Sequence, residues 1–93
     1  MKDKKRRYPV FALELKNGEQ MTATAMFFNY NREVLLLPFR RFDSSGRSMD
    51  TRHAIRVRAT DIIQRVRLEF LLNAHESLSG IRKILSAGYE EED

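Results

Sequence analysis

Asn17-Gly18 sits between two runs of alternating residues, Leu13-Glu14-Leu15-Lys16 before it and Glu19-Gln20-Met21-Thr22-Ala23-Thr24-Ala25 after it. No other feature narrows the fold as much. Asn-Gly tolerates positive φ at both centres of a two-residue turn and is the strongest short-range hairpin signal. The flanks follow the strand period, with Phe11, Leu13 and Leu15 on one side of the pleat and Ala12, Glu14 and Lys16 on the other. A hairpin at the front of a short chain, followed by more strand-like runs, predicts a small β-barrel.

Tyr8 to Lys16 reads as the first strand, with Pro9 at its start, where a missing N–H does little harm. Glu19 to Phe28 reads as the second. Asn29-Tyr30-Asn31-Arg32 is a turn, because Asn accepts left-handed geometry. Glu33 to Phe39 contains Val34-Leu35-Leu36-Leu37, apolar on both faces, and reads as a central third strand. Asp43-Ser44-Ser45-Gly46 marks a mobile loop between Phe42 and His53. Ala54 to Ala59 alternates, with Ile55 and Val57 inward and Arg56 and Arg58 outward. After Thr60-Asp61, Ile62-Ile63 and Val66 form a last short strand or a single helical turn.

The period then changes. Leu68, Leu71, Leu72, His75, Leu78 and Leu85 follow helical spacing, predicting an amphipathic helix over about 68–86, with Ala87-Gly88 as its stop. Ser77, Ser79 and Gly80 weaken its middle, so the alternative is two short helices, the second capped by Ser77 or Ser79. The fold expected is mainly β (α+β): a five-stranded Sm/SH3-like small barrel with a C-terminal helix across an open end or edge. It is a single domain over 1–93, comprising a basic flexible arm (1–7), the barrel (8–66), the helix (67–87) and an acidic tail (88–93).

Charge is uneven along the 93 residues. The basic arm and the tail Glu90-Glu91-Glu92-Asp93 cancel, so the middle carries the net charge of +4. Arginine outnumbers lysine twelve to five, and its planar fork suits phosphates and carboxylates. Arg40, Arg41, Arg47, Arg52, Arg56 and Arg58 crowd one stretch, and a strand-three/strand-four hairpin would gather them near one end. Tyr30, in a polar turn, and Phe42, beside a polar loop, are the aromatics expected to stack on bases.

Catalysis finds no support. His53 and His75 are the only histidines, and they match no metal-ligand spacing. The four glycines are isolated, so there is no phosphate-cradling loop. The chain has no cysteine, which excludes thiolate metal sites and disulfides. No cofactor is implied. No apolar run reaches the length of a membrane span, and the expected location is the cytoplasm.

The order strand, Asn17-Gly18, strand, Phe28-Asn29, Val34-Leu35-Leu36-Leu37, then Ile55-Arg56-Val57 and Asp61-Ile62-Ile63 resembles the Sm-like small barrel. Leu13 to Glu19 with Ala23-Thr24-Ala25 is similar, more narrowly, to the hairpin of the Rof family, Sm-like inhibitors of the Rho terminator. The resemblance implies the small-barrel fold more than a function; the residues themselves lead to the expectation of a non-enzymatic regulatory binding module. The expectation is RNA or another nucleic acid on the Arg-rich surface. The alternative is a protein-binding adaptor or inhibitor that engages an acidic partner. Homo-oligomerisation through edge strands or the C-terminal helix stays open.

Overall fold

The computed structural model describes residues 8–28, 32–68 and 74–88. The basic arm, Tyr30 and the acidic tail fall outside them. Five antiparallel strands form one sheet: β1 (Val10–Leu15), β2 (Gln20–Phe28), β3 (Glu33–Phe42), β4 (Ile55–Arg58) and β5 (Ile62–Leu68), in the order β4-β3-β2-β1-β5. One helix, α1 (Leu78–Ala87), follows.

Connectivity forces the sheet to bend. In a flat sheet β4 and β5 would stand about 19 Å apart, four gaps of roughly 4.8 Å. Yet they are joined only by the 3-10 turn Ala59–Asp61, which spans about 6 Å. The strands therefore curl until the two edges approach each other, giving a small barrel-like body that stays open between β4 and β5.

The β1–β2 turn departs from the expected two-residue form. Gly18 alone has positive φ (+92°). Gly18 N–H donates to Leu15 C=O at 2.9 Å, and Leu15 N–H to Glu19 C=O at 2.9 Å. This is a three-residue loop, a type I turn closed by a left-handed glycine. The Asn17 side chain favours it by accepting from Glu19 N–H at 3.0 Å.

β1 is buried on both faces, and the chain has two apolar layers as a result. Leu13, Leu15, Met21, Ala23, Ala25, Val34 and Leu36 fill the concave side, flanked by half-buried Phe11, Ile55, Val57 and Ile62. Val10, Ala12, Phe42, Val66 and Leu68 line the other side with Ala74, Ile81 and Leu85. The helix thus lies on the convex face, over β1, β2 and β5, not across an open end. Buried Thr22 and half-buried Gln64 fasten the helix and the residue leading into it. Thr22 Oγ1 donates to the Ala74 carbonyl, and Gln64 Nε2 donates to the Leu85 carbonyl at the helix C-terminus.

The helix is shorter than its apolar spacing predicts. Leu68 belongs to β5, where it pairs with Val10. Helix α1 begins only after Ser77, whose hydroxyl accepts from Gly80 N–H at 3.1 Å, and ends at Gly88 in the left-handed region. The two-helix alternative placed that cap correctly. Leu71 and Leu72 lie outside the described residues. His75 precedes α1, exposed, with its ring edge-on to Phe39 at 5.5 Å.

The loop after β3 is ordered by its own hydrogen bonds. Asp43 Oδ1 accepts from Ser45 and Arg47 N–H, each at 2.9 Å. Arg47 C=O takes Asp43 N–H, and Met49 N–H reaches back to Arg41 C=O. These amides hold the Asp43 carboxyl below its usual pKa. Among the described residues no helix is long and apolar enough to cross a membrane.

Candidate nucleic-acid interface

The β4 sequence Ile-Arg-Val-Arg places Ile55 and Val57 half-buried on the concave side and exposes Arg56 and Arg58. Register sets Arg58 opposite Glu33 and Arg56 opposite Leu35. Arg32, just before β3, has φ +55°. A residue with a side chain adopts that region at a cost and does so mostly at turns and functional sites. Its carbonyl accepts Ala59 N–H at 2.9 Å, which ties the start of β3 to the turn between β4 and β5.

Arg32, Glu33, Arg58 and Thr60 line an open depression of about 430 Å³. Among the described lining residues the carboxylate of Glu33 has Oε1 3.7 Å from Arg56 Nε, and neighbouring Asp61 Oδ2 accepts from the Arg58 backbone N–H at 3.2 Å. Among the described residues, no carboxylate pairs with the guanidinium of Arg32 or Arg58. Two planar cation forks thus converge on a shallow surface beside a hydroxyl.

The other predicted arginines lie elsewhere. β4 pairs only with Glu33–Leu36 of β3. Arg40 is five positions beyond the residue opposite Arg56, which at about 3.3 Å per residue places it roughly 17 Å along the strand. The expected gathering at one end of a hairpin therefore does not form. Arg41 donates Nε to Glu19 Oε1 at 2.9 Å and Nη2 to Oε2 at 3.2 Å, with both side chains largely buried. Arg40 lies over the Phe42 ring at 5.7 Å. Arg52 forks onto Asp50 at 2.9 and 3.2 Å, which lowers the Asp50 pKa to about 2. Arg47 is exposed in the ordered turn.

Phe42 corrects an expectation. It is only 7% exposed and belongs to the layer under α1, so no base can stack on its face. Tyr30 lies outside the described residues. His53 is exposed, with Nε2 4.0 Å from Asp50 Oδ2. Among the described residues no cluster of three or more His, Asp or Glu could hold a metal.

Among the described residues, Arg32, Arg65, Arg67 and Arg82 are also exposed, Arg82 with its Nε donating to Gln20 Oε1 at 3.0 Å. Arg32 ends a turn that was read for its asparagines. Arg65 and Arg67 alternate with buried Val66 and Leu68. That period-two signal is present in the sequence, but the same leucine also begins a helical spacing. No protein-family model, curated protein or solved structure matches the chain.

Proposed function

We propose that this chain is a small non-enzymatic module that binds single-stranded RNA across the Arg32–Arg58 depression. The observation that carries this reading is the convergence of two guanidinium groups, neither with a carboxylate partner among the described residues, on one open surface. Guanidinium forks match phosphate oxygens in a bidentate fashion. An open, shallow depression suits an extended strand better than an enclosed small molecule. Tyr30, the aromatic expected from the sequence to stack on a base, stands two residues before Arg32 in the chain. The strand order and bend are compatible with a small barrel of the kind the hairpin resembles, and the arginines, not that resemblance, carry the nucleic-acid reading.

The test is a titration of labelled single-stranded RNA and matched DNA at low and moderate salt. Affinity at physiological salt is expected to be micromolar or weaker, because backbone charge supplies most of it. Arg32→Glu with Arg58→Glu should weaken binding by at least roughly tenfold at unchanged melting temperature, since two surface arginines carry little stability. Failure of both RNA and DNA to bind at low salt overturns the reading.

A further inference from the structure

The sheet leaves backbone unpaired along β4, along β5 and along Leu37–Arg40 of β3, as far as the described residues go. Open edges invite pairing, and chains blunt them with prolines, short strands and charge. Here the blunting is uneven. Pro38 interrupts the free stretch of β3. β4 is only four residues long. β5 has seven residues and no proline. Its one register shift lies near its start, where Leu15 meets Ile62, so Gln64–Leu68 pairs regularly with β1.

The side chains on β5 are distinctive too. Ile63, Arg65 and Arg67 are exposed at alternate positions, and Ile63 is 56% exposed, more than either of the other exposed large hydrophobic residues, Tyr8 and Leu37. The Arg65 guanidinium rests 5.8 Å from the Phe11 ring. Neither Arg65 nor Arg67 has a carboxylate partner among the described residues.

We propose that the outer edge of β5 receives an extended acidic peptide of another protein as a sixth strand, with carboxylates at alternate positions facing Arg65 and Arg67. Strand addition draws affinity from the backbone ladder and selectivity from alternate side chains. Opposite charges across a strand pair stabilise it, and like charges destabilise it. A second copy of this chain fits poorly. Its own edge strands read Ile-Arg-Val-Arg and Ile-Ile-Gln-Arg-Val-Arg-Leu, with no carboxylate on either face. Pairing with them would leave both arginines uncompensated or set them against arginine. The inference uses a different surface from the RNA reading, and either can fail alone.

The experiment uses the full chain and a labelled eight-residue peptide alternating Glu with Val. The peptide is expected to bind, with amide shifts in NMR spectra concentrated on β5. Arg65→Glu with Arg67→Glu should weaken it by roughly tenfold or more and transfer preference to the peptide with Lys for Glu. On the unaltered chain, a peptide N-methylated at alternate amides should bind at least roughly tenfold more weakly, because it cannot form the ladder. Equal binding of the N-methylated peptide would mean bare charge attraction and overturns the proposal. Absence of binding by the Glu peptide at millimolar concentration also overturns it. So does sedimentation showing a dimer that must dissociate before the peptide binds.

Discussion

Arg41 reaches from β3 to Glu19 at the end of the β1–β2 turn and grips its carboxylate with two parallel hydrogen bonds, at 2.9 and 3.2 Å. Glu19 is only 9% exposed. It accepts a third bond from Asn17 Nδ2, to Oε2 at 3.1 Å. The first hairpin is thereby clamped to the third strand, and an arginine that looked like a ligand-binding group serves the fold.

Arg41→Ala strands that carboxylate and should destabilise the chain by about 2–4 kcal/mol, since breaking a largely buried pair leaves an uncompensated charge. Glu19→Gln with Arg41→Met should recover part of the loss. Chemical denaturation of the three chains tests this. An Arg41→Ala protein that melts like the parent but binds RNA less tightly would reverse the assignment.

Gly18→Ala faces two penalties. Its φ of +92° disfavours any side chain, and a Cβ would sit 2.7 Å from Ser44 Cβ. Gly88→Ala faces strain alone, at φ +53° with nothing nearer than Leu85 O at 3.9 Å. The expected losses are about 3 kcal/mol and about 1 kcal/mol respectively. Adding Ser44→Gly should recover the clash part of the first loss but not its φ strain, and should not recover the second loss, as thermal melts of the five chains would reveal.

Ile81→Ala on the convex side and Leu36→Ala on the concave side should each cost about 2–5 kcal/mol, because both residues are fully buried. A chain truncated after residue 73 should be unstable or aggregate, since it uncovers Val10, Ala12, Val66 and Leu68 together. A monomeric, cooperatively melting 1–73 fragment would show that the convex layer is dispensable.

The Asp50 carboxyl, held at about 2 against an ordinary 3.8 by the Arg52 hydrogen bonds, sets a pH window. A carboxylate with a depressed folded-state pKa lends its support above the unfolded value and loses it as pH falls through the folded one. The 50–52 turn should therefore persist through pH 4 and open as pH falls from 3.8 toward 2. Side-chain carboxyl shifts followed by NMR should give Asp50 a midpoint well below that of an Asp50 whose partner is removed by Arg52→Ala.

Salt should separate the two classes of arginine. RNA affinity falls with salt in proportion to the phosphates neutralised, so Arg58→Ala should reduce the log–log slope by about one. Arg52→Ala should leave the slope unchanged, because that guanidinium is already spent on Asp50. Equal slope changes would extend the interface to the loop before β4.

The four strands before the 3-10 turn were legible because alternation and turn residues agree locally. Features that depend on distant partners were not. β3 runs past Phe39 through Arg40 and Arg41 to Phe42, where the following turn bonds back to it through Met49 N–H to Arg41 C=O and the Phe42–Ser48 bridge. Phe42 looks solvent-facing beside Asp43-Ser44-Ser45, and only the helix arriving from residues 78–87 buries it. The arginine site suffered from register. The segment between β3 and β4 forms its own turn through Asp43, so β4 joins β3 at its beginning rather than its end, and sequence spacing carries no trace of that offset.

β1 has a further consequence for how the molecule is made. Its two neighbours lie on opposite sides of it in the sheet but at very different distances along the chain, β2 directly after it and β5 only at Ile62–Leu68, so Val10 meets Thr24 on one side and Leu68 on the other. During synthesis the β1–β2–β3 meander can assemble while β5 and α1 do not yet exist. Until they arrive, β1 shows the cell both a bare edge and the apolar face of Val10 and Ala12. Pairing across so long a separation is slow, so the nascent chain passes through a sticky, half-built stage.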